Sequence, residues 1–214
     1  MLFNSDDAIL FAEKLLSIGA IKLRPEEPFT WASGWKSPIY CDNRLTLSFP
    51  EIRSWLKVTL ADGIRQKFPD VEIIAGVATA GIPHGALIAE ELGLPFIYVR
   101  SEAKKHGLSN QIEGKLAEGN KVVVIEDLVS TGGSSLTAVN SLRNAGAQVE
   151  GMCALFTYAF DVADIAFAEA KCNLYTIGDY PSLIKYAIQN NIIAIETESQ
   201  LNEWRKNPSA WKQQ

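Results

Sequence analysis

Apolar residues recur along the chain in two rhythms. Ile9, Ala12, Leu15 and Leu16 fall at helical spacing; this predicts a helix that Ser5 caps and that runs to about Ile18, with Asp6 and Asp7 in its positive first turn. Residues 24–47 keep no period and read as an irregular, partly extended segment. Pro50 then opens a second helix, in which Ile52, Trp55, Leu56, Leu60, Ile64 and Phe68 share one face. Beyond it, apolar runs alternate with helical patterns. Strands are predicted at "VEIIAGVA" from Val71, "PFIYV" from Pro95, residues 122–125 and residues 149–156, with helices over 83–92, 132–145 and 162–171. Near-continuous apolar strands separated by helices predict an α/β fold whose central parallel sheet is flanked by helices on both faces. Ligands in such sheets bind at the carboxyl ends of the strands. No linker, low-complexity tract or internal repeat interrupts the pattern, so residues 1–214 read as a single domain.

Composition narrows the partners. With 214 residues and 47% hydrophobic content, the chain has material for one well-filled core but would be cramped as two. A formal charge of −5 argues against nucleic acid or an anionic membrane as partner, because either needs a positive field over a broad face. Any polyanionic ligand must therefore meet a local basic cluster. Cys41, Cys153 and Cys172 are odd in number, widely spaced and outside any C-x-x-C pairing, as suits reduced thiols in a cytoplasmic protein. The opening "MLFNSDDAIL" has early acids and no basic stretch, and no apolar run approaches a membrane span.

Three of the predicted strand ends carry chemistry. The run "KVVVIEDLVSTGGSSLTAV" ends its apolar stretch in two adjacent carboxylates, Glu126 and Asp127, and passes into Ser130, Thr131, Gly132, Gly133 and Ser134 before a helix. Bare amides and hydroxyls at a helix start favour an anion, above all a phosphate. "GVATAGIPHGA" repeats the small-residue theme with Thr79, Ala80 and Gly81, and "VRSEAKKHGLSNQIEGK" gathers Arg100, Lys104, Lys105 and His106. The phosphate-binding loop of nucleotide triphosphatases needs a lysine that "STGGSS" lacks, and no G-x-G-x-x-G fingerprint follows a strand. Two acids beside a phosphate cradle would repel the anion unless they face a diol or a bound cation. A sugar phosphate satisfies both halves of the motif.

The stretch "VVVIEDLVSTGGSS" resembles the 5-phosphoribosyl diphosphate (PRPP) motif of type I phosphoribosyltransferases. More narrowly, "FTWASGWKSPIYCDNRLT", "YVRSEAKKHG", "NQIEG" and the terminal "EWRKNP" are similar to orotate phosphoribosyltransferases. The resemblance covers nearly the whole chain. It implies a type I phosphoribosyltransferase-like fold with a small N-terminal hood, residues 1–48 forming the hood and base-binding segment and residues 49–214 the core. It also implies transfer of the phosphoribosyl group of PRPP to N1 of orotate, giving orotidine 5′-phosphate and diphosphate.

By the same resemblance Glu126 and Asp127 hold the ribose hydroxyls, Leu128 and Val129 belong to the PRPP-binding run, and Ser130, Thr131, Gly132, Gly133 and Ser134 wrap the 5′-phosphate. Thr79, Ala80 and Gly81 lie under the diphosphate. Arg100, Lys104 and His106 belong to a flap that closes over it from the neighbouring subunit of a homodimer, with Lys104, Asp127 and Glu126 as the catalytic set. Ser33, Gly34, Lys36 and Ser130 adjoin orotate. Mg2+ is implied as cofactor, bound mainly through PRPP and not through direct protein ligands. Other branches carry lysines where Ala32, Ala80 and Ser101 stand here, and an orotate-binding arginine in place of Tyr158. A purine phosphoribosyltransferase is disfavoured by "FTWASGWKSPIY". A PRPP-sensing regulator is disfavoured by the acidic charge and by the lack of a helical DNA-binding domain. His84 reads as structural or supporting. Asp42 and Arg44 read equally as a surface ion pair or ligand contacts, and Trp204 and Trp211 as packing for a C-terminal helix or a subunit contact.

Overall fold

The computed structural model describes residues 1–31, 33–100 and 111–212. In chain order the elements are α1 (Ser5–Ser17), β1 (Ile21–Leu23), β2 (Phe29–Thr30), β3 (Lys36–Ser37), β4 (Ile39–Cys41), a 3-10 turn (Asn43–Ser48) and α2 (Pro50–Lys67). Then come β5 (Ile73–Val77), α3 (Gly81–Leu92), β6 (Phe96–Val99), β7 (Ile112–Glu113), β8 (Lys121–Val129), α4 (Gly133–Asn144), β9 (Gln148–Thr157) and α5 (Asp161–Glu169). Finally β10 (Leu174–Asp179) leads into α6 (Tyr180–Gln189), a short 3-10 turn (Ile195–Thr197) and α7 (Glu198–Lys206).

Six strands form the central sheet in the order β10-β9-β8-β5-β6-β7, all neighbours parallel except the antiparallel edge pair β6–β7. The parallel strands bury both faces, which explains their unbroken apolar runs. Successive residues serve opposite cores. Ile74, Val123, Ile125, Cys153 and Leu155 pack with α1, α2, α3 and α6, whereas Ile73, Ala75, Val122, Val124, Met152 and Ala154 pack with α4 and α5. Burying each such aliphatic side chain stabilises the fold by about 1.5–3 kcal/mol relative to leaving it exposed.

The hood is built differently. β1 pairs antiparallel with β4, and β2 with β3, in ladders of three and two residue pairs. Such short pairs are not stable alone, so the hood depends on what it packs against. Trp204 of α7 is fully buried and touches Trp31, Tyr158, Phe160 and Tyr180. This aromatic cluster joins the C-terminal helix, the hood and the sheet.

Several boundaries depart from the expectations. Asn4, not Ser5, caps α1, its side chain accepting from the Asp6 amide at 3.0 Å. α3 starts at Gly81, two residues before Pro83. The irregular segment 24–47 contains three short strands and most of a 3-10 turn. The largest difference is in β8, predicted to stop at Ile125, which continues through Glu126 and Asp127 to Val129. β9 extends alongside it, pairing Glu126 with Ala154 and Val129 with Thr157, and that ladder supports an acidic pair that composition alone would assign to a turn.

Candidate active site

The cleft arises from a step in the sheet. β5 ends at Val77, and its last pairing with β8 is Gly76 with Ile125. Past Ile125, β8 keeps its neighbour only on the β9 side. The β5 chain turns away through residues 78–80, where the Ala78–Thr79 peptide is cis, and leaves open the space beside Glu126 and Asp127. Strand order reverses direction between β5 and β8, so this is the switch point at which open α/β sheets form ligand crevices. A cleft of about 430 Å³ lies there, lined by residues of three origins. Thr79 and Ala80 come from the turn after β5, Glu126, Asp127, Leu128, Ser130 and Ser134 from β8 and its loop, and Cys41, Asp42 and Arg44 from the hood.

The two carboxylates form one electrostatic unit. Glu126 is buried, accepting from Ser135 Oγ at 3.2 Å and from the Asp127 amide at 3.1 Å. Burial, reinforced by the neighbouring Asp127 charge, pushes its carboxyl up to about 9. Asp127 is also raised, chiefly by burial, although it remains partly open to the cleft. Burial and the repulsion between the two charges therefore both favour keeping a proton on the pair. A cation arriving at the cleft would favour release of that proton.

Around the acids the backbone supplies the anion-binding part. Gly132 takes φ 85°, a left-handed conformation natural to glycine, and swings the chain into α4 without a side-chain cap. The first amides of α4 thus point past Ser130 and Ser134, at the positive end of the helix dipole. On the opposite face, Gly81 packs so tightly on β8 that an added Cβ would lie 2.5 Å from the Ile125 carbonyl oxygen. The turn carrying Thr79 and Ala80 is thereby pressed against the acid-bearing strand. Asn43, fully buried, donates from Nδ2 to the Asp127 carbonyl at 2.6 Å and ties the hood to the cleft floor.

The profile of the phosphoribosyl transferase domain matches residues 46–169. A curated relative, the orotate phosphoribosyltransferase of Phocaeicola vulgatus, is 58% identical over 203 residues, covering 95% of this chain and 96% of its own length. The chain belongs to the orotate phosphoribosyltransferase family. Solved structures agree with it in fold. The orotate phosphoribosyltransferase of Aeropyrum pernix superposes with a TM-score of 0.73 at 30% identity, over 82% of this chain and 96% of that one. The UMP synthase of Leishmania donovani gives 0.76 at 26% identity, over 92% of this chain, which spans only 42% of that longer protein.

Within this orotate phosphoribosyltransferase fold, the structure brings together Thr79, Ala80, Glu126, Asp127, Leu128, Ser130 and Ser134 as cleft lining. Gly81 lies beneath the first of these loops; Thr131, Gly132 and Gly133 span the second. Val129 is fully buried and does not line the cleft, its carbonyl accepting from the Tyr158 amide. Arg100 stands at the end of β6 with its guanidinium 3.4 Å from Glu113 and does not line the cleft. Ser33, Gly34 and Lys36 sit on the β2–β3 hairpin, outside the lining, and Lys36 Nζ donates to Thr30 Oγ1 at 2.9 Å. Lys104, His106, Lys105, Ser101 and Ala32 lie outside the described residues.

Asp42 and Arg44 form a bidentate ion pair at 2.7 and 3.0 Å, and both line the cleft. Arg44 is the one cation among the described lining residues. Cys41 and Asn43 escaped sequence reasoning, and only the "CDNR" run beside the quoted hood motif hinted at them. His84 is buried within α3, its imidazole held at about 4 by burial and so neutral at physiological pH. Among the described residues no helix is long and apolar enough to cross a membrane.

Proposed function

We propose that this chain is a cytoplasmic enzyme of pyrimidine biosynthesis that transfers the phosphoribosyl group of PRPP to N1 of orotate, releasing diphosphate and orotidine 5′-phosphate. The observation that carries this reading is the step at the β5–β8 switch point, where a buried acid pair faces an uncapped helix start across one cleft. It offers adjacent partners for a diol and a phosphate. The 58% identity to an orotate phosphoribosyltransferase over nearly the full chain gives the base. The division of the chain into a hood of residues 1–48 and a core of residues 49–214 follows the same reading.

In this reading Ser130, Thr131, Gly132, Gly133 and Ser134 cradle the 5′-phosphate, and Glu126 and Asp127 accept from the ribose hydroxyls. Thr79, Ala80 and Gly81 hold the diphosphate by backbone amides, while Ser33, Gly34, Lys36 and Ser130 border orotate. Breaking the bond from C1 to diphosphate leaves a ribosyl centre with oxocarbenium character, and the carboxylates beneath the sugar oppose that developing charge. N1 of orotate attacks as the diphosphate departs, so no covalent enzyme intermediate is needed. Lys104, Arg100 and His106, contributed by a partner subunit's closed flap, neutralise the leaving group and exclude water that would capture the cation.

Mg2+ is the proposed cofactor. It would be held mainly by the oxygens of PRPP and by water, with Glu126 and Asp127 facing the ribose hydroxyls beside it rather than binding it directly. When bound, it would neutralise diphosphate charge in the ground state and on the leaving group. The chain's own part is to present Glu126 and Asp127, both raised by burial, to the sugar, where positive charge accumulating above them favours their ionised form.

The direct test is ultraviolet loss of orotate absorbance in the presence of PRPP and magnesium, with adenine and hypoxanthine as alternative bases. Orotate-specific turnover is expected. Turnover of a purine with none of orotate would overturn the reading.

A further inference from the structure

We infer that Trp204, on a helix beyond the matched phosphoribosyl transferase region, is a positioning residue that sets the base-binding hairpin and thereby the affinity for orotate. This rests on the proposed function and extends it to a residue that does not touch substrate. α7 (Glu198–Lys206) begins 29 residues after the matched region ends at residue 169. Its indole is fully buried, and Nε1 donates to the backbone carbonyl of Lys36 at 3.1 Å.

The geometry gives that one bond unusual leverage. The hairpin that carries Ser33, Gly34 and Lys36 pairs only Phe29 with Ser37 and Thr30 with Lys36. Two pairs do not fix an orientation by themselves. Within the turn, the Gly34 amide donates to the Trp31 carbonyl and the Trp31 amide to the Trp35 carbonyl, both at 2.9 Å. These bonds shape the loop but do not anchor it to the core. Anchoring is shared by Trp31, whose ring lies 5.2 Å from Tyr158 and 5.7 Å from Trp204 and whose Nε1 donates to the Ile39 carbonyl at 3.3 Å, by the Ser37 hydroxyl on the Ile39 backbone, and by the Trp204 bond on Lys36.

Trp204 also touches the other side of the site. Its ring lies 5.7 Å from Tyr158 and 5.3 Å from Phe160, and both follow β9 directly where that strand supports the acid-bearing end of β8. Neighbouring side chains on the C-terminal segment grip the chain just before the hairpin. Gln200 Nε2 donates to the Pro25 carbonyl at 2.9 Å and Lys212 Nζ to the same oxygen at 3.2 Å. Arg205 Nη1 holds the Ala159 carbonyl at 2.6 Å. The C-terminal segment is thus a clasp between the strand ends that carry the PRPP cleft and the hairpin above it. Loosening the clasp lets the hairpin shift relative to a cleft that the sheet keeps in place.

The test separates base from PRPP. Trp204→Phe keeps an aromatic ring in the cluster and removes the N–H, so the KM for orotate should rise about three- to tenfold, the range expected for one hydrogen bond. The KM for PRPP and kcat at saturating orotate should stay within about twofold. Gln200→Ala, which leaves the aromatic cluster untouched, should raise the orotate KM in the same direction by a smaller factor, and it carries the test if Trp204→Phe does not fold. An unchanged orotate KM in the folded variant, or equal rises for orotate and PRPP, would overturn the proposal. Wild-type protein that fails to consume orotate would instead overturn the activity itself, and that is measured before the variants.

Discussion

The PRPP cleft and the base hood face the same space, yet different forces hold them. The cleft's acids and loops grow from strand ends whose register is set by parallel ladders, β8 being paired with β5 and β9 on its two sides. Beyond Ile125 the acid-bearing end is held by the β9 ladder, so moving Asp127 would disturb that ladder and the fully buried Val129 and Phe156 beside it. The hood's strands pair over two or three residues and rely on side-chain contacts, above all those of Trp31 and Asn43 within the hood and of Trp204 from α7. In the proposed function, the firmly laddered geometry lies where charge develops and the sparsely laddered geometry where the base is chosen.

The largest effect should come from the cleft. Asp127→Asn should lower kcat/KM by a factor on the order of 10² or more with nearly unchanged Tm, because a charge that favours the developing cation is lost while the shape is kept. Steady-state kinetics beside a thermal melt would show it, and wild-type turnover would remove Asp127 from the catalytic set.

Next in size is recovery by subunit mixing. If Lys104 reaches the partner's cleft, Asp127→Asn and Lys104→Ala are each nearly inactive alone. Unfolded together and refolded, about half of the dimers are hybrids, and one site in each hybrid escapes both lesions. Specific activity should return to roughly one quarter of wild type for random twofold assembly. Hybrids verified by a mass tag but without activity would assign Lys104 to its own chain or to no catalytic part.

A smaller effect separates scaffold from loop. Gly81→Ala puts a Cβ against the Ile125 carbonyl, whereas Gly133 has nothing within 4 Å of an added Cβ. Overpacking at Gly81 should cost about 1–3 kcal/mol and lower Tm by about 2–10 °C. Gly133→Ala should leave Tm nearly unchanged, and equal melting of the two variants would contradict the close contact under the cleft.

The subtlest prediction concerns pH. Glu126 is raised from the ordinary 4.5 to about 9 in the folded chain, so between those values the folded state holds a proton that the unfolded state has released. Stability from this group is complete below the unfolded value and is lost as pH rises towards the folded one. Glu126→Gln stays neutral throughout, so its Tm should fall less than the parent's between about pH 6 and 9. Parallel Tm curves for the two proteins would show that Glu126 is ionised in the free cleft.

Much of the cleft was legible because its signals are local. "VVVIEDLVSTGGSS" displays strand, acids and loop in one run, and Thr79, Ala80 and Gly81 follow their strand directly. The end of β8 was misjudged because acids and small residues look like a turn until β9 is known to run beside them. β10 and α6 were not anticipated, and "NLYTIGDYPSLIKYAIQ" does carry an apolar strand run and the Asp179 cap on the Ser182 amide. Cys41, Asp42 and Arg44 on the cleft wall needed the hood to be folded over it, as no local pattern distinguishes a wall from a surface.

The sequence by itself determined the alternation of helix and strand, the acid pair, the phosphate-type loop and the family likeness, since each depends on neighbours within a few residues. Tertiary structure alone decided that both acids are raised above the ordinary carboxyl range, because desolvation comes from packing distant segments around them. It also decided that Trp204 meets Lys36 across 168 residues. That contact exists because short hood strands cannot fix their own place and must be held by side chains brought from elsewhere in the chain.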